Sequence, residues 1–227
     1  MGFAELDEAA QVAVLQRAAA EAAAAFGLEG ATPAPVLLAY NATFRLDVAD
    51  ASYAMRILVG SSSTAEHIAA QQSWQLALAA DAGVAVPVPL PTLDGAWWVG
   101  VPSAALGRTA VATVASWLDG MAVGGSLDAP LARALGAAMA RMHVHAATWT
   151  MPPGAALPTF DDVLFGDPDV LGDVDDLSAA DRSVLEHARE RAQAVLARLH
   201  ARGGARPLHA DLHAGNLLRS GDDLQIL

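Results

Sequence analysis

The residues best equipped for chemistry crowd into one short segment, Leu208-His209-Ala210-Asp211-Leu212-His213-Ala214-Gly215-Asn216-Leu217-Leu218. Transfer of a phosphoryl group to an alcohol needs a carboxylate that orients the hydroxyl and accepts its proton. It also needs oxygen ligands for Mg²⁺, whose charge offsets that of the phosphates. Asp211 and Asn216, five positions apart on one loop, supply both. The same segment admits another chemistry. His209-x-Asp211-x-His213, taken with His143-x-His145, has the residue types of a zinc or dinuclear metal cluster, the equipment of a metal-dependent hydrolase. For His143 and His145 a plainer reading also stands: one packs a helix and the other is its neighbour.

Composition narrows the choice. All thirteen basic residues are arginine, so a Walker-type phosphate-binding lysine and Schiff-base chemistry are both excluded. Any strand cation that meets phosphate must therefore be an arginine, charged at every relevant pH. Cysteine is absent, which removes thiolate nucleophiles, disulfides and cysteine-ligated zinc. The net charge of -12 and the lack of a basic cluster argue against a nucleic-acid or anionic-membrane partner. With 54% apolar and 17% charged residues among 227, the chain is long enough and apolar enough to bury substantial cores. The acidic start lacks the basic and apolar regions of a signal peptide, and no run reaches the roughly 18 to 20 apolar residues of a membrane span, so a cytoplasmic location is expected.

The elements that would position these groups fall into two halves. Residues 7–26 have helical composition, with Gly27 as the stop. Strands are predicted over 36–40, 43–48 and 53–59. In the second, Phe44, Leu46 and Val48 share a face; in the third, Met55 and Ile57 lie opposite Ala54, Arg56 and Leu58. Ser63-Thr64-Ala65-Glu66 reads as a capping box opening a helix to about residue 80, closed by Gly83. Strands over 97–101 and 109–117 complete a sheet-rich first half. Asp128 with Pro130 opens a helix, and Ser178 through Asp181 opens another that ends near Gly203 and Gly204. Between them, residues 151–176 are loop-rich and acidic, and a short final strand covers 224–227. Five strands followed by helices indicate an α+β protein of two lobes.

The loop 208–218 resembles the catalytic loop of the aminoglycoside phosphotransferase family of phosphotransferase enzymes, whose pattern is His-x-Asp-x-x-x-x-Asn. The likeness extends upstream. Asn41-Ala42-Thr43-Phe44 matches the turn that crosses the nucleotide phosphates, and Tyr53 through Ile57 matches the third strand. Ser116-Trp117-Leu118-Asp119-Gly120 matches the interlobe hinge, and Leu135 to His143 followed by Pro158-Thr159-Phe160-Asp161 matches the first long helix of the second lobe and the segment after it.

That resemblance implies a protein-kinase-like bilobal fold with an antiparallel five-stranded N-lobe over 1–118 and a truncated helical C-lobe over 119–227. It implies an ATP- and Mg²⁺-dependent kinase that phosphorylates a hydroxyl of a small molecule. A Ser/Thr protein kinase of the same fold and a catalytically impaired nucleotide-binding relative share the same residues. Asp211 becomes the catalytic base, with His209 buttressing its loop and Asn216 a magnesium ligand. Arg56, Gln71, Asn41, Ala42, Thr43, His213 and the hinge residues Trp117 and Leu118 become nucleotide contacts.

Two departures are visible. The helix after Ser63 offers Gln71 where an acid would neutralise Arg56, so their coupling should be weaker. The sequence ends at Leu227, where the family's second metal-binding Asp would follow, so the chain reads as a truncated piece with weak ATP binding and little turnover. Bare helix faces make a dimer a reasonable expectation.

Overall fold

A computed structural model describes residues 2–60, 63–125, 127–159, 162–164, 174, 176–203, 206–221 and 223–227. Phe160, Asp161 and most of the acidic run 167–176 lie outside them. Residues 1–156 with 208–227 form one compact unit, and 157–207 form another.

The first unit begins with helix α1 (Glu8–Ala23), capped by the Asp7 carboxylate, which accepts the Ala10 N–H at 2.8 Å. Gly27 takes up a left-handed φ of 71° and ends the helical stretch as expected. The sheet is built from β1 (Ala34–Leu38), β2 (Ala42–Val48), β3 (Ala51–Leu58), β5 (Val99–Ser103) and β6 (Arg108–Ser116), all antiparallel to their neighbours. These are the five expected strands. A two-residue strand, β4 (Pro89–Leu90), joins the same sheet beside β6. It comes from the Pro-punctuated connector, whose short run carries no alternation by which to find it.

Period-two alternation decides which face of this sheet is wet. Phe44, Leu46, Met55, Ile57, Ala112 and Val114 point to one side and are buried against Leu15, Ala18, Ala19 and Ala22 of α1. Each large side chain buried there contributes about 1.5–3 kcal/mol. Their strand neighbours face the other way. Cross-strand register sets Thr43 on β2, Arg56 on β3 and Thr113 on β6 in one row on that opposite face.

Helix α2 (Ala65–Asp81) starts one residue later than the sequence pattern indicates. Thr64, not Ser63, is the cap, and the reciprocal partner is His67 rather than Glu66. The Thr64 hydroxyl accepts the His67 N–H and the His67 Nδ1 accepts the Thr64 N–H, both at 3.3 Å. A histidine in that position is not part of the Ser/Thr-x-x-Glu/Gln signature, so the pattern selected the neighbouring frame.

A second core joins α2 to helix α3 (Ala129–Ala146) and to a small sheet of β7 (Met121–Ala122), β8 (Leu217–Ser220) and β9 (Asp223–Ile226). Trp74 and Leu78 from α2, Leu135, Ala138 and Met142 from α3, and Leu217 and Ile226 from the hairpin pack together there. Asp128 caps α3 as expected, accepting the Leu131 N–H at 2.8 Å. Strands β7 and β8 are too short to betray a period, and only β9 is legible in the sequence.

The second unit carries α4 (Ala179–His200), opened by the expected Ser178–Asp181 capping box. None of its described residues is buried, and Val184, Val195 and Leu199 are exposed. No helix among the described residues is long and apolar enough to cross a membrane.

Leu217 is wholly buried beneath the chemistry-bearing segment. Leu217→Ala is expected to cost about 2–5 kcal/mol by leaving a cavity, whereas Val184→Ala on α4 should stay within about 0.5 kcal/mol. Urea denaturation of the two variants checks the contrast.

Candidate active site

Residues 209–216 leave an extended stretch and enter β8 through a single 3-10 turn, Ala214–Asn216. The two ends of this loop are tied to the end of β9. The Leu227 N–H donates to the Asn216 carbonyl at 2.9 Å, and the Leu227 carbonyl lies 3.2 Å from His209 Nε2. Because a carbonyl only accepts, Nε2 carries the ring proton, and His209 Nδ1 is a buried acceptor without a hydrogen-bond partner among the described residues. His209 is thus tied to the end of β9 through backbone.

Between these ties the chain turns sharply. Ala210 has φ +63°, a left-handed conformation that costs an alanine about 1–2 kcal/mol. The strain sits immediately before Asp211, whose side chain is 76% exposed. Asn216 fixes that residue twice: its Nδ2 donates to the Asp211 carbonyl at 2.8 Å and to the carboxylate Oδ2 at 3.1 Å. Two oxygens around one terminus dictate which end of the amide is nitrogen, since a flip would set oxygen against oxygen. The amide Oδ1 is thereby directed away from both.

His213 caps the 3-10 turn by accepting the Gly215 N–H on Nδ1 at 3.0 Å, and its Nε2 lies 3.6 Å from Asp211 Oδ1. His209, Asp211, His213 and Asn216 are therefore brought together.

The upstream residues form a separate set. Arg56 makes no hydrogen bond or ion pair with any other described residue. Its side chain keeps solvent exposure, yet the protein crowding the guanidinium desolvates it and lowers its pKa. Arginine starts so high that the charge persists. Gln71 is exposed on α2 and is not hydrogen-bonded to Arg56, so the weak coupling expected of the pair is absent among the described residues. Asn41 accepts the Val59 N–H at 3.1 Å and so pins the end of β3, while Ala42 is buried in the first core and has only backbone to offer.

At the hinge, the Trp117 N–H donates to the Ser52 carbonyl at 3.0 Å and its indole Nε1 to Asp119 at 3.1 Å. The Trp117 ring is covered by the Arg45 guanidinium, 4.9 Å from the ring centroid. Arg45 is in turn held by Asp47 at 2.9 Å and Ser52 at 3.0 Å. Arg45 and Arg108, which binds the carbonyls of Leu58 and Val59, are positioning residues that the sequence reading omits. The strand alternation that turns Arg45 to the face away from Phe44 was the available signal.

His145 takes the Trp74 indole N–H on Nδ1 at 3.2 Å, a helix-packing contact. No group of three or more His, Asp or Glu side chains suited to a metal ion is present among the described residues. A shallow depression of about 370 Å³ between α1 and residues 31–33 is lined by none of the residues discussed above.

The sequence model of the phosphotransferase enzyme family, which includes the aminoglycoside phosphotransferases, matches residues 35–227. The chain belongs to this family. No curated protein matches the sequence. Among solved structures, a microcompartment-associated aminopropanol kinase superposes with a TM-score of 0.69 at 24% identity, over 95% of this chain and 67% of its own. An amicoumacin kinase, solved in complex with AMP-PNP, Ca²⁺ and Ami, gives 0.68 at 20% identity, over 99% and 64%. An aminoglycoside phosphotransferase gives 0.60 at 12% identity, over 95% and 70%. The phosphotransferase described here therefore has the protein-kinase-like fold, with its five-stranded antiparallel N-lobe, and spans about two thirds of the length of these relatives. They give no support to the expected dimer.

Two outcomes check the geometry of this phosphotransferase. Ala210→Gly should raise stability by about 0.5–1 kcal/mol, the relief of strain less the entropy of glycine, whereas Ala210→Val should lower it; chemical denaturation reads both. The Asp47 carboxyl is held below the usual carboxylate range by the Ser52 hydroxyl and then by Arg45. A lowered folded value stabilises above the ordinary carboxylate range and is lost as pH falls through it. The gap in melting temperature between the native chain and Asp47→Asn should therefore close as pH drops from about 6 to about 3.

Proposed function

We propose that this protein is an ATP-dependent kinase that transfers the γ-phosphoryl group to a hydroxyl of a small molecule. The observation that carries the reading is the Asn216 amide locked onto Asp211 by its nitrogen, with an exposed carboxylate beside it. In that arrangement Asp211 accepts the proton of the attacking hydroxyl as its oxygen bonds to the γ-phosphorus and the bond to ADP breaks. Asn216 Oδ1, which points away from Asp211, is a single hard oxygen donor, far short of an all-protein cage, which fits Mg²⁺ held chiefly by phosphates and water. When bound, the ion neutralises charge on the phosphates.

Arg56, charged and without a partner among the described residues, faces the side of the sheet away from α1 and is assigned to the phosphates. Thr43 lies opposite it on β2. At the hinge the Trp117 N–H is already engaged by Ser52, so backbone contacts to adenine fall to Leu118. The lobe boundary is assigned to residue 118, where the chain leaves β6 of the large sheet for β7 of the small one. Small-molecule acceptors and nucleotide in the named relatives favour this reading over a protein acceptor. One observation favours a second reading. An Arg56 with no acidic partner among the described residues suits a nucleotide binder with slow chemistry.

Asp211→Asn separates the two. As a base, Asp211 should account for about 10²–10⁴ in turnover, with the affinity for ATP nearly unchanged. Equal losses in turnover and binding would make Asp211 a structural residue. Arg56→Ala should weaken binding of an ATP analogue by roughly tenfold or more, the worth of a hydrogen bond between charged groups, as measured by titration calorimetry.

A further inference from the structure

The reading by resemblance assigns His213 to the nucleotide phosphates. The geometry points to a different task, and we infer that His213 is a positioning residue for the Asp211 carboxylate. The inference rests on the kinase reading only for the purpose that this positioning serves.

Three constraints act on the His213 ring. Its Nδ1 accepts the Gly215 N–H at 3.0 Å, so in the neutral imidazole the proton sits on Nε2. The ring lies across Gly215 so closely that a Cβ at that position would come within 2.6 Å of Cε1 and 3.0 Å of Nδ1. Gly215 has no positive φ, and any side chain placed there would have to displace the ring. With one edge of the imidazole fixed in this way, the opposite edge delivers Nε2 to within 3.6 Å of Asp211 Oδ1.

The carboxylate is thus flanked by two donors of unlike kind, Asn216 Nδ2 on Oδ2 at 3.1 Å and His213 Nε2–H toward Oδ1. An exposed aspartate has two side-chain torsions free to turn, and one hydrogen bond leaves the second oxygen free to swing. The Asn216 hydrogen bond holds one oxygen, and the close approach of the His213 ring on the other side restricts rotation of the group. Productive geometry for proton transfer depends on that orientation.

The test uses the 227-residue chain with ¹⁵N-labelled histidine. The two ring nitrogens of His213 should report a protonated Nε2 and an unprotonated Nδ1. Gly215→Ala should displace the ring and change both this tautomer signature and the carboxyl ¹³C resonance of Asp211. The opposite tautomer, or an Asp211 resonance indifferent to Gly215→Ala, overturns the inference without reference to catalysis.

A kinetic arm uses His213→Asn, whose side-chain oxygen keeps an acceptor for the turn while removing the donor to Asp211. Turnover should fall about tenfold or more with KM for ATP unchanged. A raised KM for ATP with turnover intact would return His213 to the phosphates and overturn the positioning role. Absence of any binding of an ATP analogue by the native chain would count against the kinase reading, and the resonance measurements would still decide the place of His213.

Discussion

The loop ahead of β8 is organised around one amide and one carboxylate kept in fixed register, Asn216 against Asp211. Neither is held by burial, since Asp211 stands in solvent and Asn216 is only partly covered. The register comes from below. Leu217, the next residue, is a fully buried member of the second core, and β8 is locked to β9 by antiparallel pairing from Leu217–Ile226 to Ser220–Asp223. A polar loop is thereby mounted on an apolar foundation that α2 and α3 share. The strain at Ala210 is the cost of turning the chain back over that foundation so that Asp211 meets Asn216.

The same division of labour recurs at the sheet. One face is a core against α1; the other presents the row Thr43, Arg56 and Thr113. The ends of the strands that carry Arg56 are trussed by side chains acting on backbone: Asn41 on Val59, Arg108 on Leu58 and Val59. At the far end of β2 the Arg45–Asp47–Ser52 cluster holds the Trp117 ring. Individually such exposed polar contacts contribute little to stability. Their effect is to restrict the backbone at the two ends of the strands.

What the sequence made legible follows from the range of the forces involved. Alternation along β2 and β3 reveals the buried face because burial acts residue by residue. The family is readable in the loop 208–218 because the family pattern fixes residue types at given spacing. The short strands β4, β7 and β8 are formed by pairing with distant segments, and two to four residues carry no period. The start of α2 was misplaced by one residue because His67 stands in for the usual acid of a capping box. Gln71 was expected beside Arg56 from its place in the family pattern, and nothing in its own chemistry draws an uncharged, exposed amide to that partner. The contact of the His213 ring with Gly215 depends on a turn that only three dimensions disclose.

The central claim is that Asn216, oriented by Asp211, helps hold a metal ion against nucleotide. Titration calorimetry of a non-hydrolysable ATP analogue, with and without Mg²⁺, tests it on the native chain and on Asn216→Ala. The account predicts that Mg²⁺ tightens binding to the native chain and that most of this gain disappears in the variant. An equal response to Mg²⁺ in both proteins would contradict it.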